Sequence, residues 1–230
     1  MRIAVIGTGG IGAPYGASLA KAGADVTFVA RGAHLAAIRE NGLRIEGDRG
    51  EIHIRPAQAT DDVASIGVVD YVLPCVKLWD VETAGEQIRP IVGPQTAVVP
   101  LQNGIDAADR LIPILGPEPV MGGSAFVTGT IVAPGVIRQT GTYQQMTFGE
   151  LNGHASPRGE RLRDLCATAG FEGILSPDIR VRHCQVEALQ RRLGAMEFGL
   201  MPRWSPCAIA LPLLTGRCEA STGRRDGAGG

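Results

Sequence analysis

A chain of 230 residues that is 44% hydrophobic can bury one substantial core and is expected to be a soluble globular protein. Its formal net charge is −1 with acidic and basic residues interspersed, which argues against nucleic acid or a membrane surface as partner and leaves small-molecule chemistry. The five cysteines, Cys75, Cys166, Cys184, Cys207 and Cys218, form no C-x-x-C pair and have no histidine spacing that suits zinc. No metal site is therefore expected, and the cytoplasm is the expected compartment.

The chain opens with a short aliphatic run, Arg2 to Ile6, of the kind found in a central parallel strand covered on both faces. It breaks at Gly7, too soon for a secretion signal, and no later apolar run approaches the length of a membrane span. A helix is expected from Ile11 to about Ala22, with Pro14 in its first turn and Gly23 as its stop. Between strand and helix, Gly7, Gly9 and Gly12 fit G-x-G-x-x-G, with Thr8, Gly10 and Ile11 filling the intervening positions. The first glycine permits the tight turn, the second lets backbone approach a pyrophosphate, and the third lets helix and strand pack closely. A second strand in "ADVTFVAR" completes a βαβ unit of about 30 residues, which turns a weak glycine pattern into a dinucleotide-binding expectation.

The end of that second strand discriminates between dinucleotides. An acidic residue there would hold the 2′-hydroxyl of NAD, whereas this chain places Arg31 before Gly32, and a guanidinium suits the 2′-phosphate of NADP. Further along, "AHLAAIREN" reads as a surface helix closed by Gly42, and "LRIEGDRGEIHIRP" as a hairpin around "GDRG". "VVDYVLPCVK" resembles the fourth strand of the sheet, with Lys77 just past its carboxyl end, and "TAVVPLQNGID" adds a strand ending at Asn103 and Gly104. Ligands collect at that edge of an open α/β sheet, so Lys77 and Asn103 are expected beside the bound nicotinamide.

Residues 120 to 150 carry β-branched runs separated by Pro-Gly and Thr-Gly, which read as strands joined by turns in an antiparallel extension of the sheet. Ser124 lacks the G-x-S-x-G elbow of a nucleophile. Ser156 and Pro157 then start a helix whose Leu162, Leu165, Cys166 and Ala169 share one face, so Cys166 is expected in the core.

Taken together, "MRIAVIGTGGIG", "VTFVARGAHLAAIRENGLRI", "VKLWD", "PLQNGID" and "APGVIRQTG" resemble the 2-dehydropantoate 2-reductases, or ketopantoate reductases, over about residues 1 to 181. The resemblance implies that Gly7 to Gly12 hold the NADPH pyrophosphate and that Arg31 holds the 2′-phosphate. It also implies that Lys77 lies at the cofactor and that Asn103 touches both cofactor and substrate. The implied reaction is NADPH-dependent reduction of the ketone of 2-dehydropantoate to pantoate, for pantothenate and coenzyme A synthesis. A hydride arriving at carbon leaves negative charge on oxygen, so a proton donor is needed, and in the family it is a lysine.

The chain departs from the family at that point. After "SPDIRV" it reads "RHCQVEALQRRLGAM", and no lysine follows Lys77, so the catalytic residue is unknown. Either the second domain has diverged, with Arg182, Arg191 or Arg192 in place of the lysine, or the reading frame is shifted, which is the preferred reading. Arginine is a poor general acid because its pKa stays above about 12. The expectation is a Rossmann-type doubly wound α/β domain over residues 1–175, then a short helical or disordered remnant of the substrate domain over 176–230. The rival functions are a non-catalytic NADP-binding remnant and a reductase of another 2-oxo acid, and the oligomeric state is open.

Overall fold

In the computed structural model the described residues are 1–102 and 106–181. They lie in a compact unit, Met1–His183, while a second unit, Cys184–Gly230, falls outside them, as do residues 182–230 of the expected tail, among them Arg182, Arg191 and Arg192.

The first sheet is assembled around strand β1, Arg2–Ile6. Helix α1, Gly12–Lys21, returns the chain to β2, Asp25–Val29, which pairs parallel with β1 from Arg2↔Asp25 to Ile6↔Val29. Gly23 has φ +92 between them, as expected of a helix stop. Helix α2, Gly32–Asn41, follows and ends at Gly42, where φ is +84. After the hairpin of β3, Leu43–Gly47, and β4, Ile52–Ile54, a three-residue strand β5, Gln58–Thr60, joins the outer edge of β2. The chain then crosses to β6, Tyr71–Pro74, on the other side of β1, followed by helix α3, Val81–Ile88, strand β7, Ala97–Val98, and helix α4, Asp106–Leu115. The resulting order, β5-β2-β1-β6-β7, reverses direction between β1 and β6. That reversal is the switch point of a doubly wound sheet.

Alternation along β1 divides the core. Ile3 and Val5 belong to one buried cluster with Tyr15 and Leu19 of α1, whereas Ala4 and Ile6 join another with Val81, Ile88 and Leu111. Both faces of the strand are therefore covered, which is why it reads as a continuous apolar run.

Residues 121 to 150 form one long hairpin, β8, Met121–Ala133, and β9, Val136–Glu150, turning at Pro134 and Gly135. The antiparallel pair is present as expected, but it belongs mainly to a second sheet, ordered β10-β9-β3-β4, in which β9 runs parallel to β3 and to β10, Glu172–Leu175. Its link to the first sheet is a single parallel bridge, Val98↔Val120. The Thr-Gly pairs are not turns. Thr128 and Gly129 sit inside β8, and Thr140 and Gly141 inside β9, beside a register shift between Phe126 and Thr128. Helix α5, Pro157–Thr168, is capped as the sequence indicates, with the Ser156 hydroxyl accepting from the Gly159 amide at 3.1 Å. Cys166 faces the core, and burial pushes its thiol up to about 12.

Candidate dinucleotide groove

The carboxyl ends of β1, β2 and β6 open onto a groove of about 340 Å³. Its floor is the glycine turn. Gly7 turns with φ +97, and its amide and that of Thr8 both donate to the Val29 carbonyl, at 3.2 and 3.1 Å. The buried Thr8 hydroxyl donates to the same oxygen at 2.9 Å, so the turn is anchored to the end of β2. A Cβ on Gly12 would fall onto the Gly7 carbonyl oxygen, and one on Gly7 would come within 3.2 Å of the Cys75 backbone. A Cβ on Gly9 would meet nothing within 4 Å. Two of the three motif glycines are thus packed against protein and the middle one faces open space, the division of labour a pyrophosphate requires.

In the first turn of α1 the Ala13 amide donates to the Gly9 carbonyl at 3.0 Å and Pro14 has no N–H to offer. No side chain caps that helix and no acidic residue lies in its first turn, so no side chain there competes with an anion. Gly10 and Ile11 complete the turn, Gly10 against Gly129 of the hairpin and Ile11 half-buried at the helix start. The Cys75 thiol, beneath the turn, is pushed up by burial and stays protonated.

Arg31 stands at the N-terminal boundary of α2 and lines the groove, exposed, with its guanidinium 3.4 Å from Oε1 of Gln87 on α3. The far wall includes Val76, Asp80 and Thr83. Lys77 is exposed one residue beyond Val76, at the same sheet edge but outside the groove lining, and its carbonyl accepts from the Asp80 amide at 2.9 Å. Asn103 lies outside the described residues. The residue before it, Gln102, is buried and donates from Nε2 to the carbonyls of Pro74 and Val76, each at 3.0 Å. It thereby ties the segment that follows β7 to the one that leads to Lys77.

The structure thus brings the glycine turn and Arg31 into one groove and sets Lys77 at its margin. It adds His34 of α2 and Ile131 of β8, which sequence reasoning passed over. His34 was visible only as part of a surface helix, three residues after Arg31. Ile131 has no local signal, because it reaches the groove through the path of the hairpin.

Residues 3–153 match the family described as ketopantoate reductase PanE/ApbA. The chain belongs to that family. A 2-dehydropantoate 2-reductase of Mesorhizobium japonicum is 33% identical to it over 201 residues, which cover 78% of this chain and 61% of the relative. The crystal structure of 2-dehydropantoate 2-reductase from Porphyromonas gingivalis superposes with a TM-score of 0.80 at 33% identity, over 86% of this chain and 72% of that one. D-mandelate dehydrogenase in complex with NADH shares the fold, with a TM-score of 0.74 at 21% identity over 81% and 60% of the two chains. This ketopantoate reductase family member thus spans only 61% of the length of the curated reductase above. Among its described residues no helix is long and apolar enough to cross a membrane.

Proposed function

We propose that the groove binds NADPH and that the protein serves NADPH-dependent reduction of 2-dehydropantoate to pantoate. The observation that carries the cofactor choice is Arg31, a guanidinium lining the groove where β2 ends at Val29 and is followed by Ala30 rather than by a carboxylate. The groove fits a dinucleotide through the open face of Gly9, the tight packing of Gly7 and Gly12, and the uncapped start of α1. When bound, NADPH supplies the hydride for the ketone of a small 2-oxo acid. Gly7, Thr8, Gly9, Gly10, Ile11 and Gly12 hold the pyrophosphate, and Arg31 holds the 2′-phosphate. Lys77 and Asn103 complete the cofactor end at the sheet edge, with Asn103 also meeting substrate. Residues 1–175 are the NADP-binding domain and 176–230 the remainder of a substrate domain, of which Ile179 and Arg180 still pack on the first part through Gly122 and Asp109.

A second reading is favoured by one observation. The chain's lysines are Lys21 and Lys77, so residues 78–230 contain no lysine to act as proton donor. Binding without turnover then follows. Reduction of a different 2-oxo acid is the third alternative, since residues 176–230 hold the substrate contacts in this reading.

NADPH oxidation by the purified chain, followed by cofactor absorbance with 2-dehydropantoate and then with other 2-oxo acids, decides among these. Turnover that depends on 2-dehydropantoate supports the first reading. A folded chain that binds NADPH and turns over nothing supports the second.

A further inference from the structure

His34 lies in the first turn of α2, half-buried in the wall of the groove. Its two ring nitrogens meet two different backbone groups: Nε2 lies 2.8 Å from the Thr8 carbonyl oxygen, and Nδ1 lies 3.0 Å from the Gly135 amide nitrogen. An amide can only donate and a carbonyl can only accept, so the ring carries its proton on Nε2. One neutral tautomer satisfies both partners.

Those partners belong to the two structures that flank the groove. Thr8 is part of the glycine turn, and Gly135 is the turn of the β8–β9 hairpin, with φ +77. The Gly135 carbonyl is engaged as well, accepting from the Arg44 amide at 2.9 Å, so this turn is held from both sides. A second contact lies nearby, where the backbones of Gly10 and Gly129 approach so closely that a Cβ on either would fall onto the carbonyl oxygen of the other. Between these two contacts β8 delivers Ile131 to the groove lining.

We propose that His34 is a positioning residue that clamps the glycine turn to the β8–β9 hairpin and so fixes both the floor and one wall of the dinucleotide groove. The proposal rests on the reading of that groove given above. In a trans peptide the carbonyl and the following N–H point in opposite directions. Holding the Thr8 carbonyl therefore also sets the direction of the Gly9 amide, at the motif glycine that faces open space. The hairpin contributes shape, and His34 is what keeps that shape in register with the phosphate-binding backbone.

The test combines nitrogen NMR of the His34 ring and hydrogen exchange at the Gly135 amide with fluorescence titration of NADPH into three full-length proteins. Expected are an unprotonated Nδ1 and a protected Gly135 amide in the wild-type chain. His34→Leu, which loses both bonds, should weaken NADPH binding about tenfold or more. His34→Gln, which offers one donor and one acceptor, should stay within about threefold of wild type, by restoring those bonds. A protonated Nδ1, or a Gly135 amide exchanging at the unprotected rate, overturns the clamp whatever the groove binds. Equal NADPH affinity in His34→Leu and wild type overturns it, as does an equal loss in the Leu and Gln variants. Should His34→Leu not fold, the Gln variant and the two wild-type measurements still decide. A wild-type chain with both clamp signatures but no affinity for NADPH or NADH refutes the reading of the groove, and reduces His34 to architecture.

Discussion

Gly10 and Gly129 meet backbone to backbone, and neither position has room for a Cβ. The contact seats the middle of β8 directly on the glycine turn. Gly129→Ala would have to push the hairpin away from Gly10, an overpacking that costs about 1–3 kcal/mol. Urea denaturation should show that loss, and NADPH titration should show weaker binding as the wall carrying Ile131 moves. A variant with unchanged stability and affinity would mean that the hairpin yields without cost.

Arg31 gives the cofactor choice a direct check. Arg31→Ala should weaken NADPH binding by about 10- to 100-fold, the worth of a hydrogen-bonded charged group, and leave NADH binding nearly unchanged. Parallel titrations of both nucleotides read the difference. Equal loss for the two would mean that the guanidinium does not read a 2′-phosphate. Its contact with Gln87 is long and exposed, so that pairing should not hold the side chain against a phosphate.

What the sequence made legible was local. The turn at Gly7, the helix stops at Gly23 and Gly42, and the Ser156 cap are set by residues close in the chain, and each takes the conformation its neighbours imply. Strand β5 has no signature in the sequence, because "QAT" carries no apolar pattern and becomes a strand only by pairing with β2. Gly129 reads in sequence as a turn residue because a turn and a close backbone approach ask for the same amino acid. His34 and Gly135 are far apart in the chain, and nothing near either one announces the other. The parallel pairing of β3 with β9 is silent in the sequence for the same reason.

Gln102 is expected to govern the geometry of the segment that leads to Lys77. Gln102→Leu keeps the bulk but takes the donor from the Val76 carbonyl, at about 1–3 kcal/mol for an unsatisfied group, while the Pro74 carbonyl keeps the Leu101 amide at 3.0 Å. Denaturation should register that loss, and NADPH affinity should fall because Val76 lines the groove. Gln102→Glu should be the more damaging at neutral pH, since an ionised carboxylate would face two carbonyl oxygens, and milder in acid, where a protonated carboxyl can donate to one of them. Indistinguishable Leu and Glu variants across pH would remove hydrogen bonding from the explanation.

The unit also carries an acid-sensitive contact away from the groove. Glu150, at the end of β9, and Arg158 of α5 form a two-point ion pair, with 2.7 Å at each oxygen, and Arg158 reaches on to the Thr96 carbonyl at 3.4 Å. Burial works to raise the Glu150 carboxyl, but hydrogen bonds from Arg158 and Ser156 and the Arg158 charge outweigh it and hold the group below its ordinary 4.5. A carboxyl depressed on folding stabilises the fold above its unfolded pKa, and that contribution disappears as pH falls through the folded value. Stability should therefore decline on acidification from about 4.5 downward, in part through this pair. Arg158→Met, which keeps an apolar stem, should cost about 3 kcal/mol at neutral pH by leaving a mostly buried carboxylate without its partner. The same variant should lose less on acidification than wild type, because its Glu150 no longer has a depressed pKa to surrender. Denaturation curves of the two proteins at several pH values measure the difference, and parallel pH dependences would show that the pair contributes nothing to acid sensitivity.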